Sequence, residues 1–210
     1  LDLIGSGFNG SENNLIIVKS EGLASQIYKN LKSLYPEDNF IHLPNSEILP
    51  YDFFSSPPNI RSERINALSQ LTLQENKTLI SSVQTLMSPC ANYLHVSNIN
   101  NLKVGDTFRR KEVISQLENN GYKKTEVVSE SGDFSLRGNV IDLFLSGTPQ
   151  PIRLEIFNET IESLRYFDPR TQLTTKKIDQ VNSLPAYEYP RDQHGTSKFK
   201  DNWRINFDVF

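Results

Sequence analysis

Between residues 127 and 167 the sequence places one short strand-like run after another, with no helical periodicity among them. Turn-forming triplets such as Ser131-Gly132-Asp133 and Gly147-Thr148-Pro149 separate the runs. This pattern is typical of an antiparallel meander, in which each strand pairs with the next one along the chain. The predicted strands are residues 127–128, 134–136, 140–145, 152–157 and 161–167.

A single helix is predicted before these strands. Residues 111–120 place Val113, Ile114 and Leu117 along one side, and Gly121 follows where a left-handed cap is favoured. We therefore expect an antiparallel sheet packed on one helix, which is an α+β arrangement of ordinary domain size.

The first part of the chain alternates between strand and helix patterns. An apolar run at 15–18 predicts a buried strand, and further strands are predicted at 40–43 and 78–81. Two βα steps in a row favour an α/β layer with a parallel sheet. Between them, the proline-rich stretch 49–58 excludes a regular helix, so it is either an ordered loop or a ligand surface. Two helices are predicted from apolar residues at helical spacing: Leu23, Ile27, Leu31 and Leu34 in the first, and Ile65, Leu68 and Leu71 in the second.

The composition narrows the function classes. A formal net charge of -3 argues against a protein whose main task is to bind phosphate backbones. Cys90 is the only cysteine, so no internal disulfide can form, and no long apolar segment is present. We therefore expect a cytoplasmic protein that does not associate with membranes. The sequence starts at Leu1 and its only methionine is Met87, from which we expect a piece of a longer protein.

The sequence offers no recognisable catalytic site, so we expect this chain to be non-enzymatic and to hold no cofactor or metal. The glycine-rich segment 5–12 has the glycine spacing of a phosphate loop, but Ser11 and Glu12 stand where lysine and a magnesium-binding hydroxyl are required. A carboxylate at that point repels the nucleotide phosphates. The remaining candidates are too scattered to indicate a metal site: His42, His95, His194 and Cys90.

The strand predicted at 152–157 has one apolar face and one mixed face. Alternation turns Arg153 and Phe157 away from the core side. Arginine next to an aromatic residue is a frequent combination in interface hot spots. Alternatively, Phe157 curls over the end of the sheet and covers the edge of the core. Arg137 lies at a strand end in the same meander, where it either joins this face or is a solvated charge. The core side of the strand carries Ile152, Leu154 and Ile156.

Five segments, which follow one another in a specific order, carry a family resemblance: Leu49-Pro50-Tyr51-Asp52, 132–144, 151–165, 167–172 and 184–190. They resemble the amino-terminal region of bacterial transcription-repair coupling factors, and the later segments also resemble the second domain of the excision-repair helicase UvrB. Two positions depart from the family pattern, because Asn158-Glu159-Thr160 replaces a more acidic turn and Leu145 stands where proline is common.

The resemblance implies a UvrB-like module in three parts: a degenerate, helicase-like α/β domain at 1–97, an inserted α+β domain at 98–184, and a segment at 185–210 that returns to the first domain. In that return segment, aromatic residues at helical spacing from 199 to 207 predict a helix that packs on the first domain.

The resemblance also implies a partner and the residues that bind it. In the family the inserted domain recruits the damage-recognition protein UvrA, and the binding positions match Arg137, Arg153 and Phe157. We expect alanine at either of the last two to weaken binding without unfolding the domain. The DNA translocase, and the parts that bind RNA polymerase and double-stranded DNA, are expected outside this chain.

Two other readings remain open. The chain could be part of a UvrB-like ATP-dependent helicase, which a nucleotide-binding titration would reveal. It could also be a DNA-binding module, in which two basic clusters contact phosphates; the same clusters also suit solvated surface, which the acidic composition favours. The clusters are Arg109, Arg110 and Lys111, and Lys123 with Lys124.

Overall fold

The computed structural model describes residues 13–47, 56–73, 75–88, 90 and 100–189. The glycine-rich segment 5–12, most of the proline-rich stretch 49–58 and the aromatic segment 199–207 lie outside the described residues. Predictions made for those three segments therefore stay predictions.

The first part of the described chain is a parallel α/β layer, as predicted. Three strands pair in parallel in the order β1-β3-β2. Helix α2 begins at a proline, which suits the first helical position because its amide would be unpaired there. The elements are β1 (Asn14–Val18), α1 (Glu21–Leu34), β2 (Asn39–His42), α2 (Pro58–Leu73), β3 (Lys77–Ser82) and α3 (Val83–Leu86).

Two details of this layer differ from the prediction. β1 is not a buried strand, because Leu15 and Ile17 are exposed on one of its faces. The buried face of α1 is centred on Ala24 and Leu31, whereas Leu34 is exposed. At about 100° per residue, Ala24 and Leu31 point in nearly the same direction and Leu34 lies to one side of it. The spacing of apolar residues therefore predicts the approximate direction of the buried face of a helix, but not which residues lie at its edges.

The second part is an antiparallel meander on one helix, as predicted. Six strands follow the order β10-β9-β8-β7-β6-β5, and every pair is antiparallel except β5 with β6. A separate two-stranded sheet pairs β11 with β4. The elements are β4 (Asn100–Lys103), α4 (Arg110–Asn119), β5 (Lys123–Lys124), β6 (Asp133–Arg137), β7 (Val140–Leu143), β8 (Ile152–Phe157), β9 (Thr160–Phe167), β10 (Thr174–Ile178) and β11 (Gln180–Ser183).

The strand predicted at 127–128 is wrong. Residues 125–131, the covering segment, leave the sheet and cross the face opposite α4, where Val128 is fully buried. Ser135 Oγ donates to the backbone oxygen of Glu126 at 3.1 Å, which ties the segment to β6. Val128 therefore packs on the sheet while Val127 is exposed, and the local pattern of two β-branched residues cannot distinguish this arrangement from a strand.

The two parts of the chain meet at α2. The buried Arg64 pairs with Glu188 through Nε and Nη2, and its Nη1 donates to the backbone oxygen of Pro44 at 2.5 Å. The Arg61 guanidinium lies over the ring of Tyr187 at 4.2 Å. These contacts attach the residues that follow β11 to the first part, while the domain boundaries predicted above stay a prediction.

Candidate functional site

The face of the six-stranded sheet that points away from α4, called the outer face here, carries the candidate binding residues. Arg153 of β8 pairs with Asp142 of β7 on one side and with Arg165 of β9 on the other. Residues directly opposite each other in antiparallel strands lie on the same face. Arg137 at the end of β6 belongs to that face as well, since it pairs with Val140 in step with Asp142.

Asp142 joins the two predicted arginines. Its carboxylate accepts from Arg153 Nε at 2.7 Å and Nη2 at 3.0 Å, and from Arg137 Nη2 at 2.6 Å. The Asp142 side chain is 1% exposed, whereas those of Arg153 and Arg137 are 20% and 50% exposed. The two hydrogen bonds from Arg153 fix its guanidinium group in direction as well as in distance, whereas Arg137 is held at one nitrogen.

Arg153 is enclosed on its other sides. Its Nη1 donates to the backbone oxygen of Gln172 at 3.2 Å, and its guanidinium lies 4.8 Å from the centre of the fully buried Phe167 ring. Gln172 in turn donates to the backbone oxygen of Val128 in the covering segment. The hydrogen bond to Asp142 raises the pKa of the Arg153 guanidinium above its ordinary value. Arg153 is therefore a structural residue, and only a small part of its side chain is exposed at the surface.

A second ion pair lies next to this cluster. Glu155 accepts from Arg165 Nη1 at 3.2 Å and from Ser163 Oγ at 2.6 Å. This pair is neutral, whereas the two arginines that share Asp142 leave one positive charge in excess. The outer face is thus positive around Arg137 and close to neutral at Arg165.

Phe157 stands at the end of β8 with 61% of its surface exposed. This exposure excludes the alternative in which its ring covers the edge of the core. The next two residues, Asn158 and Glu159, have φ of 47° and 57°, as a type I′ hairpin requires, and Phe157 pairs with Thr160 across the turn. The turn thus holds the backbone of Phe157 while its side chain extends into solvent.

The three predicted residues do not form a single cluster. Arg137 and Arg153 meet at Asp142, whereas Phe157 is four residues from Arg153 along an extended strand, about 13 Å away. Arg137 and Phe157 both lie where the β6–β7 and β8–β9 turns meet, a region called the turn end here. The face therefore has a positive centre and an exposed aromatic residue at one end.

Sequence reasoning missed Asp142 and Phe167 as parts of this site. A signal for Asp142 existed, because it is the one carboxylate in the apolar run Val140–Leu143. The position of Phe167 follows from alternation, since it lies two residues after Arg165 in β9. Neither pattern indicates that Asp142 and Phe167 are almost fully buried, because burial on this face depends on segments outside their own strands.

The basic residues of the DNA-binding alternative are partly engaged within the protein. Arg109 Nη1 lies 3.4 Å from Glu112 Oε1, and Arg110 Nη1 donates to the backbone oxygen of Gly138 at 2.6 Å. Lys123 and Lys124 are exposed in β5. Within the described ranges, no group of three or more metal-binding side chains is found. Among the helices described, none is long and apolar enough to cross a membrane.

Comparison with known proteins agrees with this architecture. Residues 101–189 match the family described as UvrB interaction domain. The chain is 35% identical to the transcription-repair-coupling factor of Escherichia coli over 179 residues, which are 84% of this chain and 16% of that protein. It is 34% identical to the Haemophilus influenzae protein of the same name, over 92% of this chain and 17% of that protein. The chain thus spans about a sixth of the length of these relatives.

Proposed function

The chain belongs to the transcription-repair coupling factor family and carries a UvrB interaction domain, and we propose that it recruits the nucleotide-excision-repair protein UvrA through the outer face and the turn end. The observation that carries this proposal is the exposed Phe157 ring on the same sheet face as a pair of arginines held by a single buried carboxylate. An exposed aromatic ring on the same sheet face as an arginine pair matches the composition of interface hot spots, in which aromatic residues and arginine are enriched.

The charge on this surface indicates the chemistry of the partner. Arg137 and Arg153 carry two positive charges against the one negative charge of Asp142. An acidic surface on UvrA would complement this excess, steer the two proteins together and fix their register. Phe157 would supply the apolar contact, since aromatic anchors in desolvated patches contribute most of the energy in many interfaces.

This role requires no chemistry from the chain itself. We infer that the fragment is a non-catalytic interaction module that works in the cytoplasm, and that the translocase, the RNA polymerase contact and the main double-stranded DNA contact belong to other parts of the full-length protein. Titration calorimetry with magnesium-ATP tests the first point. Because Ser11 and Glu12 replace the lysine and hydroxyl of a phosphate loop, we expect no heat of binding. A micromolar site would favour the helicase alternative instead.

Binding of the 210-residue chain to purified UvrA tests recruitment directly. We expect Phe157→Ala to lower the affinity at least about thirtyfold, the effect of losing a hot-spot contact of about 2 kcal/mol. Leu173→Ala is the matched control, because Leu173 is also apolar and is 69% exposed on the loop between β9 and β10. The proposal fails if the parent chain does not bind, or if both alanine variants bind as the parent does.

A further inference from the structure

One side of the parallel sheet is covered over two strands and open over the third. Leu15 and Ile17 of β1 are 54% and 53% exposed. Leu15 pairs with Leu79 of β3, which packs against the core under α2, and residues in register on neighbouring strands share a face. The described residues therefore leave the α2 side of β1, called the open β1 face here, without cover.

The opposite side of β1 is covered by α1. Ile16 and Val18, which alternate with the exposed pair, pack against the core that contains Ala24 and Leu31 of α1. Strands of parallel sheets are normally buried on both faces, so a strand with one open face is incomplete. A helix is about 10–12 Å across and strands lie about 4.8 Å apart, so α2 covers about two strands. One further helix beside α2 would lie over β1.

The sequence that follows the described residues has the pattern that such a helix requires. At about 100° per residue, four aromatic side chains fall within an arc of about 80° on a helix and make one apolar stripe. Asp201 and Asp208 fall on the other side of the same helix. The four residues of the stripe are Phe199, Trp203, Phe207 and Phe210.

The described chain ends close to the open β1 face. The Tyr189 hydroxyl donates to the backbone oxygen of Cys90, shortly after α3. Thr85 of α3 donates through Oγ1 to Glu21 Oε2 at 3.3 Å, which places α3 beside the start of α1 and thus near the end of β1. Residues 190–198 reach at most about 30 Å, whereas the five residues of β1 span only about 17 Å. The chain is therefore long enough to bring the aromatic stripe over β1.

We propose that the open β1 face is the docking site of the aromatic segment 199–210 of this chain, whose stripe covers Leu15 and Ile17. The strand Asn14–Val18 contains no charged residue, so its complement is an apolar stripe and not a charged segment. The inference assigns a place to the helix predicted in this segment, and it does not depend on the proposed function.

Trp203 is the only tryptophan of the chain, so its fluorescence reports on docking without a label. In the parent we expect emission at a shorter wavelength than in the urea-unfolded chain. Ile17→Lys places a charge on the open β1 face and should lower the docking equilibrium at least about tenfold. The Trp203 emission should then move toward the unfolded wavelength, and acrylamide should quench it more strongly. Leu34→Lys is the matched control, because it makes the same change at an exposed leucine at the end of α1, on the opposite face of the sheet.

A reciprocal measurement leaves the sheet unchanged. In a chain with labelled isoleucine methyl groups, Trp203→Ala should shift the Ile17 signal, because the indole ring would no longer lie over that side chain. The signal of Ile152, which is fully buried in the second part of the chain, should stay in place. If Ile17→Lys proves to be unfolded by circular dichroism, this measurement decides alone.

The inference is overturned if folded Ile17→Lys has the Trp203 emission of the parent, or if the Ile17 signal does not respond to Trp203→Ala. A parent chain that sediments as a dimer, together with a monomeric Ile17→Lys, would also overturn it, because a second copy would then cover the open β1 face. None of these measurements contains UvrA, so their failure leaves the proposed function intact.

Discussion

Replacement of Arg153 by alanine is the perturbation for which the structure predicts the largest effect at the candidate site. Asp142 is 1% exposed and accepts three hydrogen bonds, two of which come from Arg153. The substitution removes both, together with the contact over the Phe167 ring. The buried carboxylate is then left with Arg137 as its only charged hydrogen-bond donor among those described.

The magnitude follows from the cost of leaving a buried charge partly unpaired. Removing one partner of a buried ion pair costs about 3–5 kcal/mol. Because Arg137 still donates to Asp142 at 2.6 Å, we expect the lower end, about 3 kcal/mol. At about 4–8 °C per kcal/mol for a domain of 60–100 residues, the melting temperature of this part falls by roughly 12–24 °C. Arg137→Ala should cost about 1 kcal/mol, because Arg137 is half exposed and Asp142 keeps Arg153.

Urea denaturation followed by circular dichroism measures these differences, because urea is uncharged and does not screen the ion pair. Together with the single variant Asp142→Ala, the double variant Arg153→Ala/Asp142→Ala completes a thermodynamic cycle. It removes both charges, so we expect it to be no less stable than Arg153→Ala alone. If Arg153→Ala were as stable as Arg137→Ala, Asp142 would not depend on Arg153, and the structural role given to this arginine would be refuted.

Three further changes test other parts of the structure. Burial raises the pKa of Tyr122 to about 12. The contribution of the neutral Tyr122 side chain to the free energy of unfolding is therefore complete below pH about 10 and is lost as the pH rises toward 12. Urea denaturation midpoints should show this loss in the parent and not in Tyr122→Phe. Arg64→Ala leaves Glu188 without its charged partner where the two parts meet, and calorimetry should show a destabilisation of about 3 kcal/mol, or two separate transitions. Gly147→Ala should cost about 1–2 kcal/mol in urea denaturation, because φ is 80° and the new Cβ would lie 2.9 Å from Asn66 Oδ1.

Alternation along the strands predicted much of the candidate face. The sequence around β8 separates an apolar core side from a side with Arg153 and Phe157, and the structure has that alternation. It could not predict how much of each outward side chain is exposed. Arg153 is mostly enclosed and Phe157 is mostly exposed, although both point to the same face. Arg153 contacts Gln172, which is itself bonded to the covering segment, and the Phe167 ring. Burial of an outward residue depends on distant segments, which period-two patterns do not encode.

This difference changes the test that suits each residue. From sequence alone, Arg153→Ala and Phe157→Ala were both expected to leave the domain folded. The enclosure of Arg153 makes the first variant destabilised, so its loss of binding would not separate a lost contact from lost structure. Phe157→Ala should change stability by less than about 0.5 kcal/mol, since surface substitutions away from buried networks usually do. Phe157 and Arg137 are therefore the residues whose variants report on binding.

The shared carboxylate also bears on affinity, because it orders the arginines before any partner arrives. Immobilising a long side chain on binding costs about 0.5–1.5 kcal/mol, and Arg153 has already lost that freedom through Asp142 and Phe167. Arg137 is held at one nitrogen and still exposes half of its side chain, so it can meet a carboxylate of the partner at lower entropic cost than a free arginine. Lysine at position 137 would keep the positive charge. It lacks the planar guanidinium group, whose donors can bond Asp142 and a partner in fixed directions at the same time. We therefore expect Arg137→Lys to bind UvrA more weakly than the parent in the same binding assay. Equal affinity would show that the partner recognises only the positive charge at position 137.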